Sequence, residues 1–136
     1  MAHSDEKNME YYKVGLGHVG SYQASGVPYA TGSLSLSTTS VKVSFPYVTQ
    51  EVIVYNHGPN ALRVGWSHNG VNGLSDNNYF LVASGSSSGR LRVKTAAVHL
   101  RSDTTTGLAV ASVNAALTRI ETARILDNWT GSSGVG

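Results

Sequence analysis

From Ser33 onward, short runs of alternating apolar and polar residues recur between turn signals. Leu34 and Leu36 alternate with serine. Val41, Val43 and Phe45 alternate with Lys42 and Ser44 as far as Pro46, which cannot donate to a strand ladder. Gln50 to Asn56 is apolar on both phases through Val52, Ile53, Val54 and Tyr55, the pattern of a strand covered on both sides. After the turn cluster His57-Gly58-Pro59-Asn60, Leu62, Val64 and Trp66 alternate again, followed by a loop with Asn69-Gly70 and Asn72-Gly73. Asn78 to Ala83 and Arg90 to Thr95 flank a glycine-serine loop and read as a hairpin. Val98 and Leu100 mark one more strand, and Gly107 to Ala115 the last. About eight strands with turns every ~8–12 residues predict an all-β chain, an antiparallel β-sandwich of jelly-roll type. An immunoglobulin-like Greek key is the alternative. The predicted core takes Leu34, Leu36, Val41, Val43, Phe45, Val52, Val54, Leu62, Val64, Trp66, Phe80, Val82, Leu91, Val93, Val98, Leu100, Leu108 and Val110.

The two ends break this pattern. Residues 1–32 hold five glycines from Gly15 to Gly32 with no sustained periodicity, and read as an extended N-terminal arm. Residues 33–116 form the sandwich, and residues 117–136 a short C-terminal tail. Within the tail, Leu117 to Leu126 fits either an amphipathic helix or a strand end followed by a docked segment. Aromatic residues on weakly charged arms suit interfaces better than free solvent. The candidate contact residues are therefore Tyr11, Tyr12, Gly15, Gly17, Gly20, Tyr22, Gly26, Pro28 and Tyr29 on the arm, and Trp129 on the tail.

Composition narrows the function. Only 13% of the 136 residues are charged and the net charge is +2, so no clustered basic footprint for nucleic acid is expected. No apolar run approaches the ~18 residues of a membrane span, and the polar, acid-bearing N-terminus does not read as a signal or transit peptide. With no cysteine, disulfides and thiol chemistry are excluded. Gly15 to Gly20 spells G-x-G-x-x-G, yet no sheet-packing helix can follow, and no acid occurs between Glu10 and Glu51 to hold a ribose. His3, His18, His57, His68 and His99 show no metal-ligand spacing, so no metal or cofactor is expected, and His99 reads as a solvent-facing strand residue. Only Glu51, Asp76 and Asp103 lie in the sandwich, too scattered to argue for paired-acid catalysis. No G-x-S-x-G elbow is present, so a non-enzymatic chain is expected. Trp66 and Tyr79 leave a carbohydrate-binding module open, although the alternation of Trp66 with Leu62 and Val64 favours the core. Asn128-Trp129-Thr130 spells a glycosylation sequon to which no role is assigned.

Two stretches carry a family likeness. Gly15 to Ser33 (GLGHVGSYQASGVPYATGS) followed by Val41 to Asn56 (VKVSFPYVTQEVIVYN) resembles a group of small virion proteins of tailed phages, known from marine and cyanobacterial phages. Those proteins join a GLG-x-VGSYQ-x-SG-x-P arm to a V-x-FP-[FY]-VT strand and close on a short TG-x-G type tail, which Trp129 to Gly136 (WTGSSGVG) resembles. Gly15, Gly17, Gly20, Tyr22, Gly26, Pro28 and Phe45-Pro46 match that pattern; Ala61 to Asp103 matches in alternation only. The resemblance implies a structural part of the phage head, assembled in the host cytoplasm. It would be a decoration or cement protein or a vertex protein, with a neck or tail component as the other placing. The expected partners are further copies of the chain, as a trimer or pentamer, and the major capsid protein or another virion protein. Since one ordered arm gains little net affinity, several linked arms are needed.

Overall fold

The computed structural model describes residues 26–73, 77–104, 108–125 and 132–136. Two antiparallel sheets face each other across one core. In sheet 1 the order is β1 (Val27–Leu36), β7 (Ala109–Glu121), β3 (Tyr47–Asn56). Sheet 2 runs β2 (Val41–Ser44), β6 (Ala97–Ser102), β4 (Leu62–Gly65), β5 (Tyr79–Val82). One short helix, α1 (His68–Asn72), and a 3-10 turn at Thr122–Arg124 complete the described elements.

Alternation builds the core. Val52 and Val54 from β3 and Ala111, Val113 and Leu117 from β7 meet Leu62, Val64, Val98 and Leu100 of sheet 2, all buried. At about 25 cal/mol per Å² of apolar area, such valine and leucine side chains contribute ~1.5–3 kcal/mol each. Polar residues at the margins are satisfied. Asn56 donates from Nδ2 to the carbonyls of Asn60 (2.8 Å) and Val82 (2.9 Å), and its Oδ1 accepts from Gly58 N–H (3.0 Å). That one amide ties the β3–β4 turn to β5 across the two sheets.

Several expectations change. The sheet begins at Val27, so Val27 to Gly32, read as arm, are strand paired with β7 from Val27↔Leu117 to Thr31↔Val113. At the other end β7 continues to Glu121, which makes Leu117 to Glu121 strand and not tail. Arg90 to Thr95 does not form a hairpin with β5. The loop 83–89 carries the chain from sheet 2 to sheet 1, where Leu91 bridges Val52 and Ser88 N–H donates to Val54 O (2.8 Å) along the open edge of β3. In β7 the inward phase is Ala109, Ala111, Val113, Ala115 and Leu117, one residue out of step with the expected Leu108 and Val110. Leu108 is exposed. Because strand side chains alternate, the one-residue shift exchanges the faces completely. The predicted core residues Leu34, Val41, Trp66, Phe80 and Leu91 lie partly buried at the core margin.

Candidate functional site

Sheet 1 keeps one broad face outside the core. Across its centre runs the row Ala30, Asn114, Ile53, with Pro28, Ala116, Glu51 beside it on one side and Ser112, Tyr55 on the other. Asn114 sits on the middle strand and is exposed, so no described element covers the centre of this face. Glu51 is the one ionisable carboxylate or base among these side chains. The N-terminal segment joins the sheet here: Gly26 N–H donates to Leu117 O (2.9 Å) at the start of β1, an edge strand.

The sequence-predicted contact residues divide accordingly. Tyr11, Tyr12, Gly15, Gly17, Gly20, Tyr22 and Trp129 lie outside the described residues, as do the G-x-G-x-x-G stretch, His3, His18 and Asp76. Gly26 and Pro28 are at the root of β1. Tyr29, expected to anchor in a partner, turns inward and packs edge-on to Phe45, ring centroids 5.2 Å apart at 90°. It belongs to the chain's own core margin.

A hydroxyl–imidazole pair lies at the end of the same sheet, His57 Nε2 to Ser112 Oγ at 2.8 Å, with the Tyr55 ring nearly parallel to His57. Tyr55, His57, Ser86 and Ser87 border a hollow of about 420 Å³. A Ser–His nucleophile needs a third group to orient the base. The acid of β3, Glu51, is six residues away, roughly 20 Å along a strand. Asp103 is on sheet 2 and bound to Arg63 Nε at 2.8 Å, and Glu121 is at the last position of β7, opposite Tyr47. Glu51 and Asp103 therefore do not meet. Among the described residues no group of three His, Cys, Asp or Glu could hold a metal.

No family model matches the chain, and no curated protein does.

Among the described residues, sheet 2 is covered and the outer face of sheet 1 is not. Ser67 caps α1 by accepting from Gly70 N–H (2.9 Å), and Gly73 closes it in the left-handed region at φ 67°. Ser67 Oγ also donates to Val135 O (2.6 Å), which pins residues 132–136 against the helix. Val71 sits over Gly65, where a Cβ would lie 2.7 Å from Val71 Cγ1. Arg63 is held by Asp103, by Val71 O (3.0 Å) and over the Tyr79 ring at 4.3 Å. Under this cover lies His99, 6% exposed, which corrects its reading as a solvent-facing residue. It does point away from the core, but α1 closes over it. His68 brings its ring to 4.7 Å from that of His99 at 74°, and His68 Nδ1 is hydrogen-bonded to Ser40 Oγ. Burial, His68 and Lys42 push the pKa of His99 down to about 4.

At the far end of sheet 2, Trp66, Asn77, Asn78, Tyr79, Phe80 and Gly134 border a cavity of about 280 Å³. The two aromatics that the sequence offered for sugar stacking share this one hollow. Ser40 and α1 carry no sequence expectation, and His68 reads only as a loop histidine beside an Asn-Gly turn. The cap pair Ser67 and Gly73 was the available signal, obscured by two Asn-Gly dipeptides that also spell turns.

Proposed function

We propose that this chain is a non-enzymatic structural protein of a tailed-phage particle, a decoration, cement or vertex subunit of the head that assembles with further copies of itself and binds the capsid shell. The observation that carries the reading is the outer face of sheet 1, which no described element covers. It spans three strands, its centre carries no charge, and the N-terminal segment that resembles the phage proteins leaves the sheet beside it. Large uncovered faces with little charge are where protein partners dock. In this reading a second copy packs on the face, while residues 1–25 of each copy reach the shell.

The finer fold belongs to the same proposal. If residues 86–91 are counted as a strand beside β3, the two sheets become β1-β7-β3-(86–91) and β2-β6-β4-β5. The chain then crosses between sheets at every connection except β4–β5, which is the winding of a jelly roll, an architecture of viral capsid and lectin domains. The test is co-sedimentation with empty shells. Deleting residues 1–25 leaves β1 whole, so the variant should fold, keep its multimer and lose shell binding. A deletion variant that still binds shells would refute the role given to this segment.

The cavity at Trp66 and Tyr79 favours a second reading, a carbohydrate-binding module for host adhesion. Glycan-array binding that disappears in Trp66→Ala while the fold persists would support it. A glycan-blind protein would remove it.

A further inference from the structure

The His68–His99 contact leaves a polar atom unexplained. His99 stands in the second strand of sheet 2, between Lys42 on β2 and Gly65 on β4, its direct cross-strand neighbours. Its Nδ1 is buried and has no hydrogen-bond partner. A buried polar group left unpaired costs about 1–3 kcal/mol. Around it stand two cations, Lys42 and Arg101, and two groups that can donate, Ser40 and His68. Lys42 shares its face directly across the ladder, His68 lies over it, and Ser40 holds His68 by a hydroxyl that can also donate outward. Arg101 follows two residues along the same face of β6, its guanidinium on Asn72 Oδ1 (3.2 Å). The nearest described carboxylate of this sheet, Asp103, is four residues from His99, roughly 13 Å along a strand, and is engaged by Arg63.

We propose that Ser40, Lys42, His68 and His99 form a binding site for a small oxyanion of the phosphate type on the outer face of sheet 2. A tetrahedral oxyanion offers several acceptor oxygens, enough for an ammonium, a hydroxyl and two imidazole N–H groups at once. His68, exposed at the start of α1, moves aside to admit it, and His99 gains the acceptor that it lacks. A transition metal is the competing occupant for two neighbouring imidazoles, but Lys42 and Arg101 flank the place and repel a cation. The anion reverses the electrostatics that keep His99 neutral. Proton uptake by His99 and anion binding therefore reinforce each other, and affinity rises as pH falls.

The experiment is a titration of the full chain with inorganic phosphate, followed by the imidazole NMR signals of His68 and His99 across pH, with acetate and zinc as separate arms. Saturable shifts with phosphate are expected, weaker shifts with acetate, and an upward move of the His99 titration from about 4 when phosphate is bound. Lys42→Met, at an exposed position that should not disturb folding, is expected to weaken phosphate about tenfold, the loss of one charge-assisted contact. Arg119→Gln, on β7 of the other sheet, should leave affinity unchanged. Phosphate shifts that never saturate, an equal affinity in Lys42→Met, or zinc binding in place of phosphate would each overturn the site.

Discussion

Asn114 and His99 occupy similar places in the two sheets, each on an inner strand with its side chain turned away from the core. One is exposed; the other is 6% exposed beneath a helix. The difference extends to everything around them. Sheet 2 carries Lys42, Arg63, Arg101 and Asp103 on or beside its outer face and spends α1 and residues 132–136 on covering it. Sheet 1 has alanine, asparagine and isoleucine across its centre, one carboxylate, Glu51, in the next row, and no described cover. A polar face rich in cations could remain wet at little cost, yet it is the one the chain covers. The face with the fewer charges, which gains more from leaving water, has no cover among the described residues.

If that contrast is right, changes on sheet 2 should cost folding and changes on sheet 1 should cost assembly. The largest effect comes from acid. A histidine held at about 4 when folded and near 6.5 when unfolded favours the unfolded chain once protons bind there. Stability is therefore complete above about pH 6.5 and falls as pH drops toward 4, by up to about 3 kcal/mol from this group. Urea unfolding at both ends of that window, in buffer free of phosphate, should show the loss in the wild type and less of it in His99→Gln. Equal losses would detach His99 from the effect.

Next comes Gly70→Ala. The new Cβ would run into the backbone oxygens of Val135 and Asn78, which cannot swing away as a side chain does. Overpacking of this kind costs about 1–3 kcal/mol. Hydrogen exchange at Val135 N–H, which donates to Ser132 O at 3.1 Å, should accelerate before the core amides do. Protection unchanged at Val135 would show that residues 132–136 do not depend on the helix. Arg63→Met should cost about 1–2 kcal/mol, since it removes a half-buried ion pair, a hydrogen bond to α1 and the contact with Tyr79 together. The smallest effect belongs to sheet 1, where Ala30→Ser should leave monomer stability within ~0.5 kcal/mol by thermal melting.

Much of the fold was legible because strands advertise themselves by alternation. Val41 to Phe45, Leu62 to Val64 and Val98 with Leu100 each have one apolar phase, and each turns that phase inward. β7 deceived for a physical reason. Both of its phases start apolar, and the phase with the larger first residues, Leu108 and Val110, faces out and continues as Ser112 and Asn114, while Ala109, Ala111 and Ala115 help fill the narrow space between sheets. Arg90 to Thr95 alternates like a strand, but alternation does not say which neighbour the strand will choose. The cluster at His99 was invisible for a similar reason. A polar strand residue points away from the core in either case, and only the long-range docking of α1 decides whether it meets water.

Whether a second copy covers sheet 1 is tested most directly by sedimentation velocity of the full chain beside Asn114→Asp. The substitution is isosteric, at an exposed position, and adds one charge at the centre of the face. Burying that carboxylate unpaired costs several kcal/mol, enough to shift association by two orders of magnitude or more. The wild type should sediment as a multimer at micromolar concentration, and Asn114→Asp as a folded monomer with the same circular dichroism. A monomeric wild type, or a variant that assembles equally well, would contradict the claim.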